Sequence, residues 1–232
     1  MVVGRRGGPV MPGVSGNWFL LVVAIQALSA TASTVAISDA DLAPSAIPVA
    51  VALWGIGVIL YLMLAGLITV HLLELPVAPH TFSPTYWIYM GATAIGVLAA
   101  ARILALPSSA PVVAATREVV SGLGFLLWAF GTWWIPLLLG FSVWRHGLFR
   151  RHLHYEAAWW SVVFPLGMYA VAGASYGRVS GLGFMVDIGR VEVWLGFVTW
   201  LAVSAAMVGS FLPGGPPSGP RPEPRPPRSP RC

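Results

Sequence analysis

Few side chains in this sequence could do chemistry, and most of them are polar or small groups set into apolar runs. Gln26, Ser29 and Ser33 recur at i, i+3 and i+7, the spacing of one helical face. Such a stripe has two readings. One is close helix–helix packing, with hydroxyls bonded to nearby carbonyls. The other is a polar lining, where hydroxyl and amide groups partly replace an anion's water shell. A second small-residue surface lies in Tyr86–Leu98, YWIYMGATAIGVL, around Gly91 and Gly96. The third feature is Trp159–Ala170, WWSVVFPLGMYA. Pro165 has no backbone N–H and its ring clashes with the preceding turn, so a helix here should kink near Phe164. Inside a bilayer the freed carbonyls must find partners on neighbouring helices or in a water-filled cavity. Trp160, Phe164, Met168 and Val171 share one face of that helix, with Gly167 beside Met168. The kinked span is either lipid-packed or a gate element, in which an inward Phe164 blocks ions until it is displaced.

Enzyme chemistry has little footing. HExxH, GxSxG, P-loop and GxGxxG patterns are all missing from the sequence. No ionisable residue occupies the centre of an apolar run; Arg102 and Glu192 are expected within a turn or so of run ends, where they reach the interface. That pattern argues against a relay of buried carboxylates. His71 and His80 lie at or after one run, and His146, His152 and His154 lie in a basic loop, so paired haem ligands on facing helices are not available. His152 and His154 with Glu156 form the one spacing that a zinc ion could use. The single cysteine, Cys232, supports neither a disulfide nor a metal cluster. No cofactor is expected.

The elements that carry these residues are membrane spans. Apolar residues make up 57% of the 232 and charged residues 9%, with a mean hydropathy of +0.78, far from an ordinary globular chain. Runs long enough to cross a bilayer predict an all-α membrane protein with six spans: Trp18–Ile37, Pro48–Leu73, Thr85–Leu106, Glu118–Trp144, Glu156–Gly177 and Arg190–Leu212. Short connections pair them as three antiparallel hairpins. Trp128, Trp133 and Trp134 in the fourth, kinked at Pro136, read as lipid-facing and interfacial aromatics. The division is a cytoplasmic segment 1–16, a membrane domain 17–212 and a tail 213–232. The tail carries nine Pro and four Arg in 20 residues, so it cannot bury a core and should be disordered.

All 13 basic residues are Arg, and they set the orientation. Nine fall at the N-terminus, after the fourth span and in the tail, whereas only Arg102, Arg117, Arg178 and Arg190 fall on the opposite side. The positive-inside rule then puts both termini in the cytoplasm of a multi-pass cell-membrane protein. Scattered between spans, these Arg residues make no nucleic-acid patch. Arg5 and Arg6, the following apolar core and Ala30-Thr31-Ala32 also imitate a signal peptide, but the apolar run continues past that site to Ile37.

Tyr86–Ile95 (YWIYMGATAI), Trp128–Leu137 (WAFGTWWIPL) and Trp159–Ala172 (WWSVVFPLGMYAVA) together resemble the tellurite-resistance/dicarboxylate transporter family. This group includes bacterial TehA proteins, fungal malic-acid transport proteins and the slow-type anion channels of plant guard cells. The likeness runs through nearly all of residues 17–212. It implies ten helices in five hairpins around a central axis, the first helix of each lining a pore, with many members trimeric. This chain would supply the last three hairpins and lack the first four helices. Either the chain is then a fragment or a shortened gene product, which could be a non-transporting assembly partner, or the pore is completed by another chain. The resemblance further implies that small anions (chloride, nitrate or C4-dicarboxylates) pass a gate at Phe164, next to Pro165. Lining would come from Gln26, Ser29, Ser33, Gly91, Gly96, Trp160, Gly167 and Met168. A proton-coupled carrier for malate, sulfite or tellurite is the alternative. Tyr89 stands where related bacterial sequences often have Asn.

Overall fold

Six helices carry the structure, a computed structural model that describes residues 16–74, 86–143 and 155–211. They are α1 (Phe19–Ser38), α2 (Ala43–Glu74), α3 (Trp87–Leu104), α4 (Pro111–Val143), α5 (Trp160–Ser180) and α6 (Gly183–Phe211). All six are long and apolar enough to span a membrane, and no strand occurs among the described residues. The predicted fold class is therefore correct.

Apolar runs located the spans but not the helix ends. α4 begins seven residues before the predicted Glu118, and α6 seven before Arg190. Helices continue beyond the hydrocarbon wherever local signals favour them, and hydropathy does not register that continuation. Pro111, at the first position of α4, fits there because its missing N–H would be unpaired anyway. The helix α1 runs unbroken through Ala30–Ala32. Pro165 lies inside α5, and Pro48 and Pro136 are likewise carried inside α2 and α4.

Tight turns fold the helices into three antiparallel hairpins. Asp39 organises the first: its Oδ1 accepts the backbone N–H groups of Asp41 at 2.9 Å and Leu42 at 3.2 Å. Arg117 steadies the second by donating Nη1 to the Leu104 carbonyl at 3.1 Å. The third reverses at Gly181, whose φ of 71° is a left-handed conformation that glycine adopts without strain. The Leu182 N–H closes that turn on the Gly177 carbonyl at 2.8 Å.

Packing places α1, α3 and α5 side by side as an inner layer, each backed by its hairpin partner α2, α4 or α6. Lipid is as apolar as leucine, so close backbone approach rather than hydrophobic segregation joins such helices. A Cβ on Gly189 of α6 would stand 2.7 Å from the Ala170 carbonyl oxygen. One on Gly131 of α4 would overlap Thr93 of α3. The consequence is an uneven bundle: across their most apolar 18 residues, 89% of α3 is buried but only 11% of α6.

The aromatics of α4 divide differently from expectation. Trp133 is exposed, as a lipid-facing ring would be. Trp128 and Trp134 are buried instead, because their rings pack on Tyr169 (centroids 6.2 Å apart) and Tyr89 (4.3 Å). The predicted segments 1–16 and 213–232 lie outside the described residues except for Gly16. So do His80, His146, His152 and His154, and with them the possible zinc spacing.

Candidate functional site

The inner helix α3 is covered on nearly every side by α1, α2, α4 and α5. Its one uncovered line is marked by Leu98, partly exposed, and Arg102, exposed. Stepping back along the same face at helical spacing reaches Ile95 and then Gly91. At Gly91 the line is closed from α5. A Cβ placed on Gly91 would lie 2.9 Å from Pro165 Cγ and 3.3 Å from Phe164 Cε1. Glycine thus lets the proline ring and the phenyl edge rest almost on the α3 backbone. Pro165 is buried, whereas Phe164 is 39% exposed, so the phenyl ring covers the seat and still faces open space.

The α5 face predicted from spacing is the open one. Trp160, Met168 and Gly167 are partly exposed along it and Val171 is exposed. Trp160 donates its indole N–H to the Tyr155 hydroxyl at 3.2 Å, which fixes one end of the face. Gly167 also has its backbone beside Gly196 of α6, where a Cβ on Gly196 would be 3.3 Å from Gly167 N.

Gln26, Ser29 and Ser33 are placed elsewhere. All three are buried on α1, and two of them face α2: Ser29 Oγ donates to the Ala50 carbonyl at 2.7 Å and Gln26 Nε2 to the Trp54 carbonyl at 3.3 Å. Ser33 Oγ returns to the Ser29 carbonyl of its own helix at 3.1 Å. Gly96 joins this seam, since its carbonyl accepts the Trp54 indole N–H at 3.0 Å and Gln26 stands over its Cα. The polar stripe and Gly96 therefore serve helix packing in this structure. A periodic small or polar face identifies a contact but does not say whether the contact is water or helix.

Three further groups escaped sequence reasoning. Phe19, Tyr61, Tyr89 and Trp134 are buried and form one aromatic cluster with the exposed Phe130, with centroid separations from 4.3 to 6.4 Å. Tyr89 points into it, away from the Gly91 line, and donates its hydroxyl to the Ala65 carbonyl at 3.2 Å. Tyr169 ties α5 to α4 by donating to the Trp128 carbonyl at 3.0 Å and hydrogen bonding with Thr132. Glu192 is the tenth residue of α6, not the near-terminal residue expected, because the helix starts at Gly183. One of its carboxyl oxygens is buried with no hydrogen-bond partner among the described residues. It follows Gly189 and precedes Gly196, the two glycines that touch α5, so the sequence signal was present but the helix start was misplaced. Among the described residues no group of three His, Cys, Asp or Glu side chains is gathered as for a metal.

An inner layer with an aromatic seated over glycine can exclude or admit a small solute without covalent chemistry. Comparisons with known proteins agree in kind. Residues 2–208 match SLAC1, the voltage-dependent anion channel family. An uncharacterized membrane protein of Mycobacterium tuberculosis strain H37Rv is 42% identical over 149 residues, which is 64% of this chain and 75% of that protein. Two uncharacterized transporters of Methanocaldococcus jannaschii are each 24% identical. They cover 87% and 86% of this chain, which in turn spans about half of their length (50% and 49%). No solved structure matches. On the extent of the family match, the chain belongs to the voltage-dependent anion channel family of membrane transport proteins.

Proposed function

We propose that this protein carries small inorganic or dicarboxylate anions across the cell membrane along the uncovered line of α3, with Phe164 as a steric gate. The observation that carries the reading is the phenyl ring of Phe164 resting on Gly91 where that line closes. An uncharged aromatic there blocks a hydrated ion by occupying the space and repelling water. Pro165 helps to hold the ring in place, because its own ring packs on the same glycine. Gly91, Trp160, Gly167 and Met168 border the route, and both termini are cytoplasmic. Uptake of chloride or nitrate into vesicles holding the purified protein tests the activity; uptake no faster than in protein-free vesicles would reject it.

A second reading, a proton-coupled carrier, is favoured by Glu192. A carboxylate inside a span, with one oxygen buried and unpartnered, marks a functional position by default. Transport that follows an imposed pH gradient in the native protein, and ceases to do so in Glu192→Gln, would select this mechanism.

A further inference from the structure

The four arginines on the side opposite the basic termini are not equivalent. Arg117 gives Nη1 to the Leu104 carbonyl at 3.1 Å. Arg190 pairs with Asp187 at 2.8 Å. Arg102 and Arg178 are exposed and have no ion pair or side-chain hydrogen bond among the described residues. These two are the ones on inner helices, in the last turns of α3 and α5.

Their register is also shared. Arg102 is three turns from Gly91 on α3 to within about 20°, and Arg178 four turns from Phe164 on α5 to within about 40°. Gly91 and Phe164 touch, which fixes the two helices at a common level. The arginines therefore stand about 17 and 21 Å beyond the gate, above the same open line. A favourable interaction with the helix C-terminal dipole explains a cation in each last turn. It does not explain why both fall on the faces that lead to Phe164. Asp39 and Asp41 at the α1–α2 turn, and Glu118 on α4, are the other charges at this end, with Asp187 and Glu192 on α6. Asp39 is engaged with the backbone of its own turn.

Resting on the anion-path reading, we propose that Arg102 and Arg178 form an anion-gathering vestibule at the outer end of the path, where unpaired guanidinium groups concentrate small anions ahead of the gate. Two unpaired positive charges close together raise the local anion concentration and capture rate, and salt weakens them.

The test reads local potential directly, without requiring flux. In a Cys232→Ser background, Arg178→Cys is labelled with a negatively and a positively charged thiol reagent of equal size, with and without Arg102→Gln. At the 8–10 Å separation of packed helices, Arg102 should shift the anionic-to-cationic rate ratio by about fivefold in low salt. Near 1 M salt, where screening acts over about 3 Å, the shift should vanish. A ratio indifferent to Arg102, or a change equal at both salt concentrations, overturns the vestibule. Nitrate uptake by Arg102→Gln/Arg178→Gln, run beside Phe164→Ala, separates the two ideas. A fall of a few-fold in low salt alone supports the vestibule. If uptake by the double variant is unchanged while Phe164→Ala raises it, the path stands and the vestibule falls. If Phe164→Ala does nothing, the gate falls, and the labelling ratio still decides the potential.

Discussion

Removing the phenyl ring of Phe164 is the most direct challenge to the gate. Phe164 is 39% exposed, so about three fifths of it is covered, with its ring edge against Gly91. A phenylalanine side chain of roughly 200 Å² then hides about 120 Å², and exposing that area to water costs about 3 kcal/mol at 25 cal/mol per Å². With tenfold per 1.4 kcal/mol, the closed position is favoured over a swung-out one by roughly a hundredfold. Phe164→Ala removes the obstacle in every molecule. Chloride or nitrate uptake, followed with an anion-quenched dye trapped in vesicles, should therefore rise by up to about 10². Phe164→Leu, which keeps a bulky apolar group without the ring's reach, should fall between. The reasoning fails if Phe164→Ala unfolds at the native temperature and its uptake stays within about twofold of the native protein, the scatter expected of a residue outside the path.

Other substitutions test the seat and the seams. Gly91→Ala puts a methyl group 2.9 Å from Pro165 Cγ. It should destabilise the protein by about 1–3 kcal/mol in thermal unfolding and raise basal uptake as the ring is pushed off. Gln26→Leu removes one 3.3 Å hydrogen bond and one unpartnered buried oxygen. Stability should change by less than about 1 kcal/mol, and uptake should not change; a large loss of uptake would return Gln26 to the path. Gly189→Ala drives a Cβ toward the Ala170 carbonyl, which cannot move aside without moving α5. The α5–α6 hairpin should loosen, visible as faster amide exchange in α6. Tyr89→Phe loses the hydroxyl bond to Ala65 but keeps the aromatic cluster, for a cost of about 1 kcal/mol.

Much of the fold was legible because a bilayer reduces secondary structure to a single variable, the length of an apolar run. Helix ends were less so. The start of α6 at Gly183 is set by a glycine turn, and that shift moved Glu192 from an interface position into the helix interior. At the site, the α5 face containing Phe164 was readable from spacing, and Gly91 was readable as small. Their contact was not, since it depends on the level at which two helices meet. Gln26, Ser29 and Ser33 left two readings open for a complementary reason: a hydroxyl facing a neighbour's carbonyl has the same periodicity as one facing water. Trp128 and Trp134 were misread because an aromatic belt and an aromatic core have the same composition.

The burial of α3 has a consequence for biogenesis. During synthesis α3 leaves the ribosome after α1 and α2 but before the helices that cover its other sides, α4 and α5. Thr93 and the Gly91 backbone then meet lipid or the insertion machinery before Gly131 and Pro165 exist to cover them. Membrane insertion of this chain is thus not a sequence of independent steps. A ribosome stalled after α3 should leave a nascent chain that an insertase still holds, and release should await the arrival of α5.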